Sequence, residues 1–295
     1  MARGELGRRI LVAAVGIPAA VLLIYLGGWF LGALMAAAAG FAAWEYYRLA
    51  AARGVRPFVL PGVLFAVGII LVSTAWRGPA VGATLWQLTV AFTLGLSVLA
   101  MLARSEGEGP LAATAVTLAG ALLPAGALAF ALFLRHMPAF DTGRSWDSWT
   151  GAAMVAYPLA VTWLNDTAAY FAGTYLGRRK LKPSVSPKKT WLGAEAGLAA
   201  GVVAGWLYAS FVFGWWLEIP LSPWLGALGG GLITVAAQFG DLAESILKRE
   251  AGVKDSGALL PGHGGVLDRL DALLLAFPVA YWYLVLVFRL MGIRS

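Results

Sequence analysis

The most informative stretch of the sequence, which we call the deciding stretch, lies near the C-terminus. It reads Asp241-Leu-Ala-Glu-Ser-Ile-Leu-Lys-Arg-Glu-Ala-Gly-Val-Lys-Asp255, then Pro261-Gly-His-Gly-Gly-Val-Leu-Asp-Arg-Leu-Asp271. These two polar runs stand between long apolar segments. Ionisable side chains at or within a bilayer cost free energy, so they mark functional sites. We therefore interpret the stretch as a functional site carried by apolar helices.

The composition of the chain is that of a helical membrane protein. Of its 295 residues, 60% are hydrophobic and 13% are charged, and the mean hydropathy is +0.77. A soluble domain needs a more polar surface, whereas lipid solvates an apolar exterior. The long Ala/Leu/Val/Gly runs lack the alternation of a membrane barrel. The sequence has no cysteine and two histidines, which excludes disulfides, thiol nucleophiles and metal sites built on thiolates or several imidazoles.

Nine segments are predicted to be transmembrane helices. A helix needs roughly 20 residues to cross the hydrocarbon core, with about 17–25 tolerated. The predicted fold class is all-α, a polytopic integral membrane protein forming one integrated domain. We expect residues 1–150 to be scaffold helices and residues 151–295 to form the catalytic region, where the polar clusters concentrate. The predicted spans are Ile10–Leu26, Trp29–Tyr47, Val59–Ala75, Trp86–Leu102, Leu111–Leu134, Ala152–Leu176, Leu192–Phe213, Trp224–Phe239 and Leu270–Met291.

Basic residues are distributed unevenly over the loops that these spans define. With the N-terminus inside, 17 of the 22 Lys and Arg residues fall on the cytoplasmic side and 5 on the other. This is the bias that orients membrane proteins, so it predicts an N-in, C-out topology. Topology thereby accounts for most of the net charge of +7, and nucleic acid is not an expected partner.

Three aspartates of the deciding stretch are candidate metal ligands. On a helix, Asp241, Ser245 and Lys248 form one polar stripe, while Asp268 and Asp271 share a face at the start of the last span. An acidic pair at a helix start also complements the helix dipole, which is the structural alternative. Taken with Asp241, the pair predicts three carboxylates converging at the cytoplasmic side. Carboxylates without thiolate or imidazole select Mg²⁺, held together with substrate phosphates.

A glycine cluster precedes the last two aspartates. Gly264 and Gly265 permit a positive φ and a close approach of the backbone to a ligand. Beside them, His263 has three roles open to it: general acid or base, phosphate contact, or packed loop residue. The cluster therefore predicts a turn that lies against a ligand.

Other polar side chains stand within or at the ends of apolar spans. Asn165 and Asp166 lie inside the sixth span, where they form either an internal hydrogen-bonded clamp or part of a site. Glu45 is an isolated acid at a predicted helix end, and its replacement is expected to matter little.

A short run after the sixth span is predicted to lie on the cytoplasmic side of the membrane, like the deciding stretch. Ser186–Thr190 brings Lys188, Lys189 and two hydroxyl groups to the start of a helix at Trp191. Helix N-termini with nearby lysines favour phosphate oxygens, so we predict phosphate binding by the two lysines. The topology bias is a sufficient explanation for Arg178, Arg179 and Lys180. Acids for a divalent cation and bases for phosphates, at the level of lipid headgroups, together predict phosphoryl or nucleotidyl transfer to a lipid.

The deciding stretch resembles the signature of the phosphatidate cytidylyltransferase (CDP-diacylglycerol synthase) family. The likeness covers roughly residues 157–275 and includes a second block, Asn165-Asp166-x-x-Ala169-Tyr170 with Ser186-Pro-Lys-Lys-Thr-Trp191. One position departs from it: Leu192 stands where an acid is expected, and Glu195 is a candidate substitute. The signature residues are Ser245, Lys248, Arg249, Lys254, Asp255, Pro261, His263, Gly264, Gly265, Asp268, Arg269 and Asp271.

The resemblance implies transfer of the cytidylyl group of CTP to phosphatidate, giving CDP-diacylglycerol and pyrophosphate, in phospholipid biosynthesis. It implies Mg²⁺, with a second, monovalent cation, in a site that faces the cytoplasm from the cell membrane. The implied partners are CTP, phosphatidate and the lipid bilayer, and a homodimer stays an open alternative. Catalytic roles fall to Asp241, Asp268, Asp271, Lys248 and His263, with the three aspartates as metal ligands. Substrate-binding roles fall to Asn165, Asp166, Ser186, Lys188, Lys189, Thr190, Ser245, Arg249, Gly264, Gly265 and Arg269.

Two other classes of protein compete with this interpretation. A transporter would use Asp166, Glu195 and Asp241 as an ion path, but the paired halves typical of transporters are absent from the sequence. A CTP-dependent lipid (polyprenol) kinase shares the nucleotide, but the dense block from His263 to Asp271 favours the cytidylyltransferase. The Asp-Gly-x-x-Ala-Arg pattern of CDP-alcohol phosphotransferases does not occur.

Overall fold

Helices make up most of the protein in the computed structural model, which describes residues 3–76, 80–137, 148–259 and 264–292. In these ranges a helix lies over each of the nine predicted spans. Helix α7 continues as a wider π-helical segment, Tyr208–Trp216. The helices are α1 (Arg3–Leu26), α2 (Gly28–Ala51), α3 (Val59–Ala75), α4 (Val81–Ala103), α5 (Pro110–Arg135), α6 (Ser148–Tyr175), α7 (Trp191–Leu207), α8 (Pro223–Glu250), α9 (Leu267–Leu270) and α10 (Leu273–Leu290).

Local chemistry sets two of the helix boundaries. Gly27 and Gly28, between α1 and α2, have φ values of 63° and 51°, a left-handed conformation that glycine adopts without steric cost. At the start of α7, the Thr190 hydroxyl accepts a hydrogen bond from the Gly193 N–H at 3.1 Å. That bond satisfies a donor that the first turn of a helix leaves without an intrahelical partner. The predicted start of this helix at Trp191 is confirmed.

A two-stranded hairpin joins α6 to α7. Strand β1 (Lys180–Lys182) pairs antiparallel with β2 (Ser186–Thr190), with Lys180 opposite Thr190 and Lys182 opposite Ser186. The all-α prediction was therefore incomplete. The run Ser186–Thr190, expected as a loop, is a strand, and its mostly charged and polar residues give no apolar alternation that would indicate one.

Five helical segments are long and apolar enough to cross a membrane, judged by length and composition over the described residues. The apolar part of α1, Gly16–Leu26, and helix α3 are shorter. The structure thus has several helices of membrane-spanning length, while nine spans and their orientation stay predictions. The five segments are Val81–Ala103, Pro110–Arg135, Trp191–Trp216, Pro223–Glu250 and Leu267–Leu290.

The chain divides into two compact units. The first comprises Met1–Leu132 and Leu247–Leu270, and the second comprises Phe133–Ile246 and Asp271–Ser295. The predicted division into scaffold and catalytic regions at residue 150 concerns function and stays a prediction. In the structure, however, part of the C-terminal signature groups with the N-terminal helices.

In the first unit, buried polar side chains tie α2 to its neighbours. The Tyr47 hydroxyl donates to the Thr117 carbonyl oxygen at 2.7 Å. The Thr117 hydroxyl accepts from the Phe58 N–H at 2.8 Å, at the start of α3. These bonds hold α2 in place at Tyr47, two residues after Glu45.

In the second unit, glycines allow α7 and α8 to pack closely. A Cβ added at Gly201 would lie 2.9 Å from the Thr234 Cβ and 3.3 Å from the Gly230 carbonyl oxygen. Small residues four apart let apolar helices approach until their backbones touch, which is a common packing mode in membranes. This packing positions the side chains of α8 next to those of α6 and α7.

Candidate active site

The first candidate cluster lies in the second unit and consists of Asp166, Lys189 and Asp241. Helix α6 carries Asp166, strand β2 carries Lys189 and helix α8 carries Asp241. Lys189 forms an ion pair with Asp241, and Asp166 interacts electrostatically with both residues. The Lys189 and Asp241 side chains are 28% and 32% exposed, so a ligand can reach them. We call this group the Asp241 cluster.

A hydrogen-bonded clamp holds Asp166 in place. The Asn165 amide donates to the Asp166 carboxylate at 2.8 Å, and its oxygen accepts from the Gln238 amide at 2.9 Å. Gln238 also donates to the Ala194 carbonyl oxygen at 3.0 Å, so α6, α7 and α8 meet at the buried Asn165 and the half-buried Gln238. Of the two alternatives for Asn165, the structure shows the internal clamp.

The second candidate cluster lies in the first unit and centres on Asp268. One carboxylate oxygen accepts from the Lys248 ammonium at 2.7 Å. The other accepts from the Ser256 N–H at 2.9 Å, the Ser256 hydroxyl at 3.0 Å and the Gly265 N–H at 2.8 Å. The Asp268 side chain is 5% exposed. Four donors on one buried carboxylate make Asp268 the residue on which the signature loop closes.

Glu45 completes this second group, which we call the Asp268 cluster. Its carboxylate accepts from the Ser256 hydroxyl at 2.8 Å, the Val266 N–H at 3.0 Å and the Leu267 N–H at 2.8 Å. The residue is fully buried. The expectation that Glu45 is an isolated acid was wrong, since it binds the backbone of the signature loop from α2.

The glycines of the signature are fitted to these carboxylates. Gly264 has a φ of +81°, which confirms the expected positive φ, and a Cβ there would lie 2.7 Å from an Asp268 carboxylate oxygen. A Cβ at Gly265 would collide with Ser256 and with Glu45. The close approach expected at this turn is therefore made to the protein's own carboxylates.

The other predicted site residues occupy separate positions. Asp271 accepts from the neighbouring Ala272 N–H at 2.7 Å, which is the helix-start role considered as its alternative. The Ser245 hydroxyl lies 3.4 Å from the Asp241 carboxylate. The Arg249 guanidinium donates to the Val253 carbonyl oxygen at 3.0 Å. Lys188 and Arg269 are exposed and Ser186 is half-buried, whereas His263 lies outside the described residues.

The predicted convergence of three carboxylates would join Asp268 of the first unit to Asp241 and Asp271 of the second, and it stays a prediction. Over the described part of the chain, no group of three or more Asp, Glu or His side chains is arranged to hold a metal ion. The metal role of the three aspartates, like Mg²⁺ itself, stays a prediction.

Sequence reasoning missed three residues of these clusters: Glu45, Ser256 and Gln238. Ser256 lies between the two polar runs of the deciding stretch, and this position was the only sign of its role in the sequence. Gln238 lies one turn before Asp241 in an apolar helix, where a polar amide needs a partner. Glu45 lies more than 200 residues from its partners, and its only signal was its position in an apolar span.

Carboxylates and lysines on an apolar helical scaffold are the groups that a membrane-bound nucleotidyltransferase requires. The chain belongs to the cytidylyltransferase family, whose model matches residues 7–287. It is 33% identical over 299 residues to a phosphatidate cytidylyltransferase from Synechocystis sp., covering 95% of this chain and 97% of the relative. Phosphatidate cytidylyltransferases from Brucella suis biovar 1 and Mycobacterium bovis are 39% and 41% identical over 187 and 123 residues. These matches cover 56% and 42% of this chain, and 66% and 38% of the relatives.

Proposed function

We propose that the protein is a phosphatidate cytidylyltransferase, which transfers the cytidylyl group of CTP to phosphatidate and releases pyrophosphate. The observation that carries this proposal is the similarity to the Synechocystis enzyme over 95% of the chain. The geometry supports it, because the Asp241 cluster joins anionic and cationic side chains of both predicted blocks. Phosphoryl chemistry depends on such positioning and charge neutralisation more than on covalent groups of the protein.

In the proposed reaction, a phosphate oxygen of phosphatidate attacks the α-phosphorus of CTP. One P–O bond forms, and the bond between the α- and β-phosphates breaks, so pyrophosphate leaves with that electron pair. The attacking oxygen is already anionic, so the step needs no general base. Lys189 stabilises the phosphate charge from β2, and the exposed Lys188 adds a second cation on the same strand.

The residues of the Asp241 cluster fit a divalent cation. Asp166 and Asp241 come from different helices and interact electrostatically, and Mg²⁺ is usually held by one or two carboxylates plus substrate phosphates. When bound, Mg²⁺ would neutralise charge on the triphosphate. Lys189 balances the Asp241 charge by direct pairing, and the Asn165 amide orients Asp166.

The Asp268 cluster has a supporting role in this proposal. Lys248, which the sequence assigned to catalysis, neutralises Asp268 at a buried position. Asp268 accepts from the Gly265 N–H and Glu45 accepts from the Leu267 N–H, while the Ser256 hydroxyl donates to both carboxylates. The cluster thus sets the shape of the segment from Gly264 to Arg269, whose two end residues are predicted substrate contacts.

We propose further that the protein lies in the cell membrane with nine spans, its N-terminus inside and its active site facing the cytoplasm. The uneven distribution of basic residues supports this orientation. The hairpin between α6 and α7 then lies at the cytoplasmic surface.

The proposed reaction is tested with purified protein, phosphatidate, Mg²⁺ and CTP labelled in either its α- or its γ-phosphate. We expect the α-label to enter the lipid fraction and the γ-label to leave as pyrophosphate, with both events stopped by a chelator. Transfer of the γ-label to lipid would identify a lipid kinase instead. Absence of any transfer from a folded protein would contradict both enzymes.

A further inference from the structure

The hairpin between α6 and α7 carries more cations than the proposed chemistry uses, since that chemistry draws only on Lys188 and Lys189. Between Asp166 and Glu195 the sequence contains six Lys and Arg residues and neither Asp nor Glu. Lys189 pairs with Asp241. Of the others, Arg178, Lys180, Lys182 and Lys188 are exposed and form no ion pair with a described residue. We call β1, β2 and the two preceding arginines the basic hairpin.

The basic hairpin is held in a defined position. The Trp191 N–H donates to the Arg179 carbonyl oxygen at 3.0 Å, and the Arg179 guanidinium lies 5.6 Å from the centre of the Trp191 ring. The turn is closed by the Val185 N–H, which donates to the Lys182 carbonyl oxygen at 3.1 Å, and Val185 is buried. The cations therefore project from a fixed platform, which lowers the entropy lost when they bind a ligand.

The arrangement of side chains on β1 separates charge from apolar surface. Lys180 and Lys182 are two residues apart, so they point to one face of the strand, and both are exposed. Leu181 between them is half-buried. Exposed aromatic rings flank the hairpin, with Tyr175 74% and Trp191 45% exposed. Aromatic rings beside basic groups are typical of the membrane interface.

The position of the basic hairpin next to α7 indicates that its ligand is a lipid headgroup. Helix α7 begins the candidate span Trp191–Trp216 immediately after β2. Cations attached directly to a membrane span meet lipid headgroups, and an anionic leaflet attracts such groups over about one Debye length. Topology alone requires basic residues during insertion, but it does not require them to be held on a folded hairpin.

We propose that the basic hairpin is a docking surface for anionic phospholipid headgroups at the bilayer surface. It holds the loop before α7 against the membrane and raises the local concentration of anionic lipid beside Lys188 and Lys189. For phosphatidate this is a delivery role, and that part rests on the proposed function. Each cation near an anionic surface strengthens such binding about fivefold.

The test uses the absence of cysteine from the sequence. The full chain with Ser184→Cys, in the hairpin turn, carries an environment-sensitive dye and is placed in lipid nanodiscs. The discs contain phosphatidylcholine alone or with one third phosphatidylglycerol. We expect the emission to shift towards that of a lipid environment only in the anionic discs, and the shift to disappear at high salt. Equal emission in both kinds of disc overturns the proposal, and this comparison needs no charge variant.

Charge variants identify the residues responsible. Arg178→Gln/Lys180→Gln/Lys182→Gln should remove most of the shift. The control Arg53→Gln/Arg56→Gln removes two exposed cations of the loop after α2, one of them the ion-pair partner of Glu108, and should retain the shift. Equal shifts in the variant and the control overturn the assignment to the hairpin.

A kinetic arm separates this proposal from the proposed function. The hairpin variant should raise the apparent KM for phosphatidate on a dilute lipid surface at least fivefold, with kcat unchanged. A normal dye shift in a protein that transfers no cytidylyl group would leave the docking surface standing and overturn the proposed function. An unchanged KM in an active variant overturns the delivery role.

Discussion

Two aspartates of the deciding stretch have very different surroundings. Asp241 is one-third exposed and has Lys189 as its ion-pair partner, whereas Asp268 is 5% exposed and accepts from four donors. A carboxylate that a ligand can reach suits catalysis, and one whose lone pairs are occupied suits structure. At the scale of the residue, we therefore place the chemistry at Asp241.

Asp268→Asn should lower the stability of the protein as well as its activity. The substitution leaves the buried Lys248 ammonium without its carboxylate, and breaking a buried ion pair costs about 3–5 kcal/mol. We expect a clearly lower melting temperature in detergent. Asp255→Asn, at an exposed acid of the same loop, is the control. An Asp268→Asn protein with normal stability and no activity would return Asp268 to a direct catalytic role.

Glu45→Ala should disrupt the signature loop from a distance. Three donors lose their acceptor at a fully buried site, at a cost of about 3 kcal/mol in total. The readouts are the melting temperature and the transfer of cytidylyl label, both of which should fall, the latter at least tenfold. Glu250→Ala, at an exposed acid near the end of α8, should change neither. Wild-type behaviour of Glu45→Ala would remove the residue from the cluster.

Sequence reasoning found the chemical types of the site residues but not their partners. The structure groups Asp241 with Asp166 and Lys189, whereas the sequence predicted a group of Asp241 with Asp268 and Asp271. The bonds of Glu45 follow from tertiary packing over more than 200 residues, which no local pattern reports. An isolated acid in an apolar helix is the one local sign of such a bond.

At the scale of the element, apolar patterning predicted the helices well. Val59–Ala75 was predicted with its observed bounds, and the predicted helix start at Trp191 is the observed start of α7. The hairpin was missed because its residues are mostly charged and polar and show no apolar alternation along the sequence. Long apolar segments therefore predict helices from the sequence, whereas a short polar strand leaves no comparable pattern.

The close packing of α7 on α8 predicts a strong effect of bulk at Gly201. Gly201→Val should destabilise the protein by about 2 kcal/mol or more, because the new side chain meets Thr234 and the Gly230 backbone. Thermal unfolding in detergent measures this. Gly68→Val on α3, where a Cβ would meet nothing within 4 Å, is the matched control. Equal melting temperatures for the two variants would show that α7 and α8 have room to move apart.

At the scale of the whole molecule, the orientation in the membrane follows from charge and not from the fold. The proposed topology places Ser184, in the hairpin turn, inside and Ser222, before α8, outside. In the otherwise cysteine-free chain, a membrane-impermeant thiol reagent added to intact cells should label Ser222→Cys but not Ser184→Cys. The reverse labelling would contradict the N-in orientation.

The grouping of the chain into units could not have been predicted from its composition. The polar clusters concentrate after residue 150, which suggested that the N-terminal helices are only scaffold. The structure groups Leu247–Leu270 with Met1–Leu132, because Glu45 and α2 bind the loop before α9. Composition locates polar residues along a chain, whereas contacts between distant segments decide which of them belong together.

The most direct measurement is the transfer of α-labelled cytidylyl from CTP to phosphatidate by Asp241→Asn and by the control Glu250→Gln. Both proteins should keep the wild-type melting temperature, because the Asp241 side chain is one-third exposed and Glu250 is exposed. We expect Asp241→Asn to lose at least a hundredfold in rate, about 2.7 kcal/mol of transition-state stabilisation, while Glu250→Gln stays near wild type. A folded Asp241→Asn protein that transfers label at the wild-type rate would contradict the assignment of the reaction to the Asp241 cluster.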